Sequence, residues 1–253
     1  MKWKIHIIEE FKYEKHLFFD IIKNFNTLGC LIFKERNTLR KIHNDVLGTL
    51  AVKSFKKPIL INQYIYSTFR KSKAYRSFYN AKFLLSKNIN TPKPIAFFEQ
   101  KKGKKLIHSF YFSEYYNYDF TFRELIEKKE MFADWNIILQ KFTEFIYKMH
   151  NSQILFKDLS PGNILIKKIN NLYEFSLIDL NRMAFKDLSW DERLQNFIRL
   201  SMTEDMINII GKTYAKLTNR NEMETIKILI DKNQIYLTKK SQKQKFKKLI
   251  GKK

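Results

Sequence analysis

Apolar residues recur at helical spacing along Asp134–His150, where Trp135, Ile138, Leu139, Phe142, Phe145, Ile146 and Met149 share one face. Such a stripe predicts a helix packed into a core. Ser72–Lys87 reads the same way, with Ala74, Phe78, Ala81, Leu84 and Leu85 facing inward. Short apolar runs at Cys30–Phe33, Thr38–Ile42 and Thr49–Phe55 predict strands. Ile95–Gln100 and Leu106–Ser113 predict a hairpin across Lys101–Lys105, after the extended stretch Thr91-Pro92-Lys93-Pro94. A second hairpin is expected from Asn163–Ile166 and Glu174–Ile178, across Lys167–Tyr173. Ser189 with Glu192 spells a capping box for a helix to about Leu200, and Thr203–Leu217 and Glu222–Asp231 continue the helical pattern. No internal repeat is visible. The order predicts an α+β fold in two lobes: a strand-rich one over 1–113 with one helix, and a mostly helical one over 114–253.

The second hairpin carries chemistry. Phe156-Lys157-Asp158-Leu159-Ser160-Pro161-Gly162-Asn163 precedes its first strand, and Leu177-Ile178-Asp179 ends its second. Pro161-Gly162 forms a turn that swings Asn163 back toward Asp158. An Asp, an Asn five residues on and a later Asp after a strand is the layout of the catalytic and metal loops in kinase-fold phosphotransferases. Phosphoryl transfer needs a carboxylate to orient the attacking hydroxyl, and an Asn and an Asp to hold magnesium at the phosphates. The plainer alternative is a hairpin whose Asp, Pro, Gly and Asn merely make turns. Upstream, Thr49-Leu50-Ala51-Val52-Lys53 resembles the strand that presents a phosphate-binding lysine. Glu114–Tyr118 then falls where a hinge would offer backbone groups to adenine, with Glu114 and Tyr115 first.

The chain departs from the usual kinase pattern in several places. It has no G-x-G-x-x-G loop; the turn between the first two predicted strands is Lys34-Glu35-Arg36-Asn37, so side chains there are expected to replace glycine amides at the phosphates. The Ser72–Lys87 helix has no acid, so the usual lysine–glutamate pair cannot form with it; Tyr79 and Asn80 occupy that place. Phe156 stands for the common His, Lys157 for Arg, and Asp179-Leu180-Asn181 for Asp-Phe-Gly. From Asp179 the chain reaches the capped helix at Ser189 with no room for a long activation segment. That favours a non-peptide acceptor.

Taken together, these stretches are similar to the bacterial lipopolysaccharide kinases of the Kdo/WaaP family. The resemblance is carried by Val52-Lys53-Ser54-Phe55-Lys56-Lys57-Pro58, Arg70-Lys71-Ser72-Lys73-Ala74-Tyr75-Arg76-Ser77-Phe78, Thr91–Ala96, Ser113-Glu114-Tyr115, Lys157–Asn163 and Ile178-Asp179-Leu180-Asn181-Arg182-Met183. It spans roughly Arg36 to Phe185. It implies a bilobal protein-kinase-like fold and ATP- and Mg2+-dependent transfer to a sugar hydroxyl of the lipopolysaccharide inner core, Kdo on lipid A foremost. It also implies Asp158 as the group that orients and deprotonates the acceptor, Asn163 and Asp179 as magnesium ligands, and Lys53 on the α/β-phosphates. Two other readings stand beside it: a small-molecule phosphotransferase of aminoglycoside-kinase type, and a non-catalytic kinase-fold adaptor with a basic surface.

Composition adds a partner. The 253 residues are 44% hydrophobic and 15% aromatic, enough for a real core. Cys30 is the single cysteine, and the five histidines form no ligand-like pair, so neither a disulfide nor a zinc site is expected. His150 reads as a locally packed residue at a helix end. The basic N-terminus has too short an apolar run for a signal peptide, and no stretch reaches membrane-spanning length. The net charge of +23 attracts polyanions. Two segments concentrate it: Ile61–Lys73, and Lys239–Lys253 with eight lysines and no acid. In the latter, Phe246, Leu249 and Ile250 fall at helical spacing, as in a short basic amphipathic helix on an anionic membrane surface; plain solvation is the alternative. No nucleic-acid-binding motif is present, so nucleic acid is not an expected partner. A cytoplasmic enzyme, peripheral at the inner face of the inner membrane, fits these features.

Overall fold

The computed structural model describes residues 1–56, 71–103 and 105–249. Most of the basic Ile61–Lys73 segment, Ile250 and the last three residues lie outside them.

The chain divides into two compact units, Met1–Asn117 with Asp179–Asn181, and Tyr118–Ile178 with Arg182–Lys253. The first is built on a six-stranded antiparallel sheet in the order β1-β5-β6-β4-β3-β2. Its strands are β1 (Lys2–Ile7), β2 (Cys30–Lys34), β3 (Asn37–Asn44), β4 (Gly48–Phe55), β5 (Pro94–Lys102) and β6 (Lys105–Glu114). Helix α1 (Lys15–Lys23) buries Phe18 and Ile21 against Phe98, Phe110 and Phe112 of the sheet. Helix α2 (Lys73–Ser86) starts at Ser72, whose hydroxyl accepts the Tyr75 amide at 3.0 Å. It buries Ala74 and Phe78 against Phe55 and Phe97.

Two elements of this unit were not expected. β1 exposes Lys2 and Lys4, half-buries Trp3, Ile5, His6 and Ile7, and pairs with β5. α1 makes this a unit with two described helices rather than one. Both are short and polar on one side, so neither stands out as an apolar run.

The second unit holds the strands β7 (Phe120–Thr121), β8 (Ile154–Phe156), β9 (Ile164–Ile169), β10 (Leu172–Leu177) and β11 (Met183–Phe185). Its helices are α3 (Phe122–Glu127), α4 (Trp135–Asn151), α5 (Trp190–Phe197), α6 (Glu204–Thr218) and α7 (Glu222–Leu249). The α4 stripe is buried as its spacing predicts, except that Phe145 is half-buried. Ser189 and Glu192 close the expected capping box on α5. The β9–β10 hairpin is tighter than expected: Asn170 and Asn171, both at positive φ (47° and 63°), form its two-residue turn. Strand pairing therefore claims most of the stretch expected to be loop. α7 also runs far past Asp231. Its Lys- and Gln-rich continuation is a good helix former with no Gly or Pro to stop it before Leu249.

Candidate active site

In the first unit, Lys53 lies on β4, opposite Leu39 of β3 and Tyr111 of β6. Its ammonium is 3.0 Å from Asp179 Oδ1, and both side chains are largely buried. Asp179 has a left-handed backbone, φ 59°, which costs a non-glycine residue about 1 kcal/mol or more. Local bonds hold it there. The Asn181 side chain donates to Asp179 Oδ1, and the Asn181 amide donates to the Asp179 carbonyl at 2.9 Å.

Helix α2 supplies donors where an acid is usual. Arg76 Nη1 donates to the Asn181 carbonyl and Asn80 Nδ2 to the Leu180 carbonyl, each at 2.6 Å. The helix thus fixes the Asp179 segment directly, and Lys53 takes Asp179 itself as its partner. Lys73, the first residue of α2, stands close by. Burial, reinforced by repulsion from Arg36, Lys53 and Arg76 and partly offset by Asp179, pulls its pKa below the usual lysine value. Arg36, Lys53 and Arg76 thus stand near enough to Lys73 to repel it, and Asp179 is the acid that offsets them, an excess of positive charge suited to a polyphosphate. Sequence reasoning had Arg36 and Lys53 but missed Lys73 and Arg76, although both sit in the Arg70–Phe78 stretch.

The other expected nucleotide residues are more dispersed. Asn37 accepts the Lys56 amide on its side-chain oxygen at 3.4 Å, tying the end of β4 to the start of β3, while its carbonyl accepts the Glu35 amide at 3.2 Å in the β2–β3 turn and Lys34 is exposed at the end of β2. At the end of β6, the amide of Glu114 donates to the Lys93 carbonyl (2.9 Å) and that of Tyr115 to the Thr49 carbonyl (2.8 Å). These two N–H groups are therefore occupied within the protein. The Glu114 carboxylate is 3.4 Å from Lys93 Nζ, and Lys41 Nζ stands 4.1 Å over the Tyr115 ring.

In the second unit, Asp158 follows β8 and Asn163 precedes β9. Asn163 Nδ2 donates to the Asp158 carbonyl at 2.9 Å, which fixes the Asp–Asn spacing across the Pro161-Gly162 turn. The Asn163 carbonyl in turn accepts the amide of Ile178, the residue before Asp179, at 3.0 Å. With Nδ2 engaged, the Asn163 amide oxygen is the group left for a cation.

The Asp158 carboxylate is flanked by two guanidinium groups. Arg199 Nη2 is 2.7 Å from Oδ1, and Arg182 Nη1 is 3.6 Å from Oδ2. Arg182 lay inside a quoted motif without an assigned role. Arg199, 41 residues beyond Asp158, has no local signal at all.

Beneath the loop, His150 is fully buried between Tyr214 (Nδ1 to Oη, 2.8 Å) and Asn196 (Nε2 to Oδ1, 3.0 Å). Asn196 Nδ2 then donates to the Phe156 carbonyl at 2.8 Å. Burial lowers the His150 pKa to about 4, so the ring is neutral near pH 7. As a neutral ring, it accepts from Tyr214 and donates to Asn196. Phe156, in the place of the usual His, is itself fully buried. The chain Tyr214–His150–Asn196 thus supports the loop from below.

No group of three or more His, Cys, Asp or Glu side chains is placed to hold a metal among the described residues. Magnesium does not require one, since it commonly takes one or two protein ligands and fills its octahedron with phosphate oxygens and water. The Asp179 carboxylate and the Asn163 amide oxygen are hard oxygen donors of that kind.

The family model described as the lipopolysaccharide kinase (Kdo/WaaP) family matches residues 20–221. A 3-deoxy-D-manno-octulosonic acid kinase of Mannheimia succiniciproducens is 27% identical over 164 residues, covering 62% of this chain and 67% of that protein. Among solved structures, WaaP in complex with acyl carrier protein has a TM-score of 0.63 at 15% identity, covering 93% of this chain and 98% of the other. At that identity the likeness speaks to the fold, which is kinase-like. The match over most of its length places this chain in the lipopolysaccharide kinase (Kdo/WaaP) family, as a kinase with a lipopolysaccharide acceptor.

Proposed function

We propose that the chain transfers the γ-phosphoryl group of ATP to a hydroxyl of 3-deoxy-D-manno-octulosonic acid (Kdo) on lipid A. Asp158 orients the acceptor hydroxyl and takes its proton. Lys53, with Arg36, Lys73 and Arg76 around it, holds the phosphates. Lys34, Arg36 and Asn37 stand in for a glycine-rich loop, and the chain around Glu114 and Tyr115 meets the base. Asn163 and Asp179 are the magnesium ligands. A magnesium ion held there would offset the negative charge that develops on the phosphates. In this reading the Lys239–Lys253 tail lies against an anionic membrane at the cytoplasmic face of the inner membrane. No helix among the described residues is long and apolar enough to cross a membrane.

The observation that carries this reading is the Lys53–Asp179 ion pair at 3.0 Å. It brings the strand lysine assigned to the phosphates beside the aspartate assigned to the metal, which supports a nucleotide site over a surface that is merely basic. The test is incubation of the purified chain with labelled ATP and magnesium against Kdo-lipid A, aminoglycosides and generic proteins. Label on Kdo-lipid A alone is the expected result. Label on an aminoglycoside, or none on any acceptor, rejects the assignment.

A further inference from the structure

We infer that Arg182 and Arg199 form a recognition site for a carboxylate of the acceptor, next to the hydroxyl that is phosphorylated. The inference rests on the sugar-acid acceptor proposed above and names which side chains read its acid. Three observations carry it. The first is charge: two guanidinium groups face one carboxylate, that of Asp158, so the loop carries more positive charge than Asp158 needs. The second is geometry. Arg199 already bonds Asp158 at 2.7 Å, whereas Arg182, at 3.6 Å, is beyond hydrogen-bond distance and more than half exposed (53%). The third is shape. A guanidinium presents five N–H donors in a planar fork, a shape that matches a carboxylate.

The arrangement also suits the reaction. An acceptor carboxylate bound to Arg182 draws that guanidinium off Asp158 Oδ2. The freed oxygen then takes the hydroxyl proton as the hydroxyl oxygen bonds to the γ-phosphorus and the bond to the β-phosphate oxygen breaks, releasing ADP. A neutral sugar lacks this contact, so the pair selects acidic acceptors.

The experiment compares Kdo-lipid A with the same glycolipid converted to its neutral Kdo amide. Steady-state kcat and KM with ATP are measured for the wild-type chain, Arg182→Gln and Arg182→Lys. The wild type should prefer the acidic acceptor by about 10- to 100-fold in kcat/KM, the range for a hydrogen-bonded charge. Arg182→Gln should reduce that preference to within about threefold, mainly through KM on the acidic acceptor. Arg182→Lys should restore part of it. An active wild type with no preference, or a preference that survives Arg182→Gln, overturns the arginine site and leaves the kinase reading standing. A wild type inactive on both glycolipids rejects the acceptor reading and the inference with it. Equal loss on both acceptors in Arg182→Gln would show that Arg182 only positions Asp158.

Discussion

At the scale of single residues, the loop separates chemistry from packing. Asp158 is partly exposed and is held through its side chain by Arg199 and its carbonyl by Asn163. Asp158→Asn keeps the shape and one oxygen for Arg199 but cannot take a proton. Turnover should fall by about 100- to 10,000-fold, with ATP affinity and melting temperature close to wild type. Full turnover on any acceptor would remove Asp158 from its role. Asn163→Ala and Asp179→Ala should behave differently, weakening magnesium-ATP binding as well as turnover, because each removes an oxygen ligand. Calorimetric titration with and without magnesium checks this, and unchanged affinity in both variants would reject the metal assignment. These residues were legible because each belongs to a short string whose turn or strand places it. Arg199, Asn196 and Lys73 were not, since their roles arise from contacts with residues far along the chain. Nothing within a few positions of Arg199 marks it as the partner of Asp158.

Among elements, two ties do work that sequence motifs usually advertise. The first is α2, which lacks an acid and instead donates from Arg76 and Asn80 to the backbone of residues 180–181. Asn80→Ala removes one such bond, worth about 1 kcal/mol. The KM for ATP should rise a few-fold while the melting temperature moves little, and an unchanged KM would show that the tie does not serve the nucleotide. The second tie is the buried His150, which links α4 to α6 through Tyr214 and to α5 through Asn196. Its folded pKa of about 4 lies below the usual 6.5. Its contribution to stability is therefore complete above pH 6.5. It declines as the pH falls toward 4, because the unfolded chain binds a proton that the folded chain refuses. The loss is on the order of 2–3 kcal/mol over that window. Urea unfolding at pH 7 and pH 4.5 should show it, and His150→Gln should flatten this part of the profile. Strong stripes such as that of α4 were readable. β1 and α1 were not, because their apolar sides are narrow and become core only once packed against β5 and β6. Glu222–Asp231 and the helical spacing in the Lys239–Lys253 tail were read as separate stretches; they belong to one α7 through Leu249, because the chain between them has no Gly or Pro to stop the helix.

At the scale of the whole molecule, the +23 charge and α7 belong together. The first half of α7 packs into its unit, burying Thr225, Leu229 and Asn233. None of the residues from Gln234 to Phe246 is buried. Lys240 reaches Ser201 at 2.9 Å, but Phe246 is 62% exposed in a run of lysines. A basic helix with an exposed aromatic ring suits the headgroup region of an anionic bilayer, where each lysine is worth about 1 kcal/mol and an apolar ring adds burial. Deleting residues 239–253 removes nothing from the described core, so the truncated chain should fold. It should bind vesicles containing anionic lipid more weakly, and raising the salt should weaken the full-length chain in the same way, because screening shortens the reach of the field. Phosphorylation of a water-soluble, delipidated acceptor should be about equal with and without the tail, since that acceptor needs no surface. Phosphorylation of a membrane-embedded acceptor should fall with the deletion. If the truncated chain holds to anionic vesicles at moderate salt as firmly as the full chain, the exposed end of α7 is a solvated helix. The attraction would then have to come from basic side chains elsewhere in the molecule.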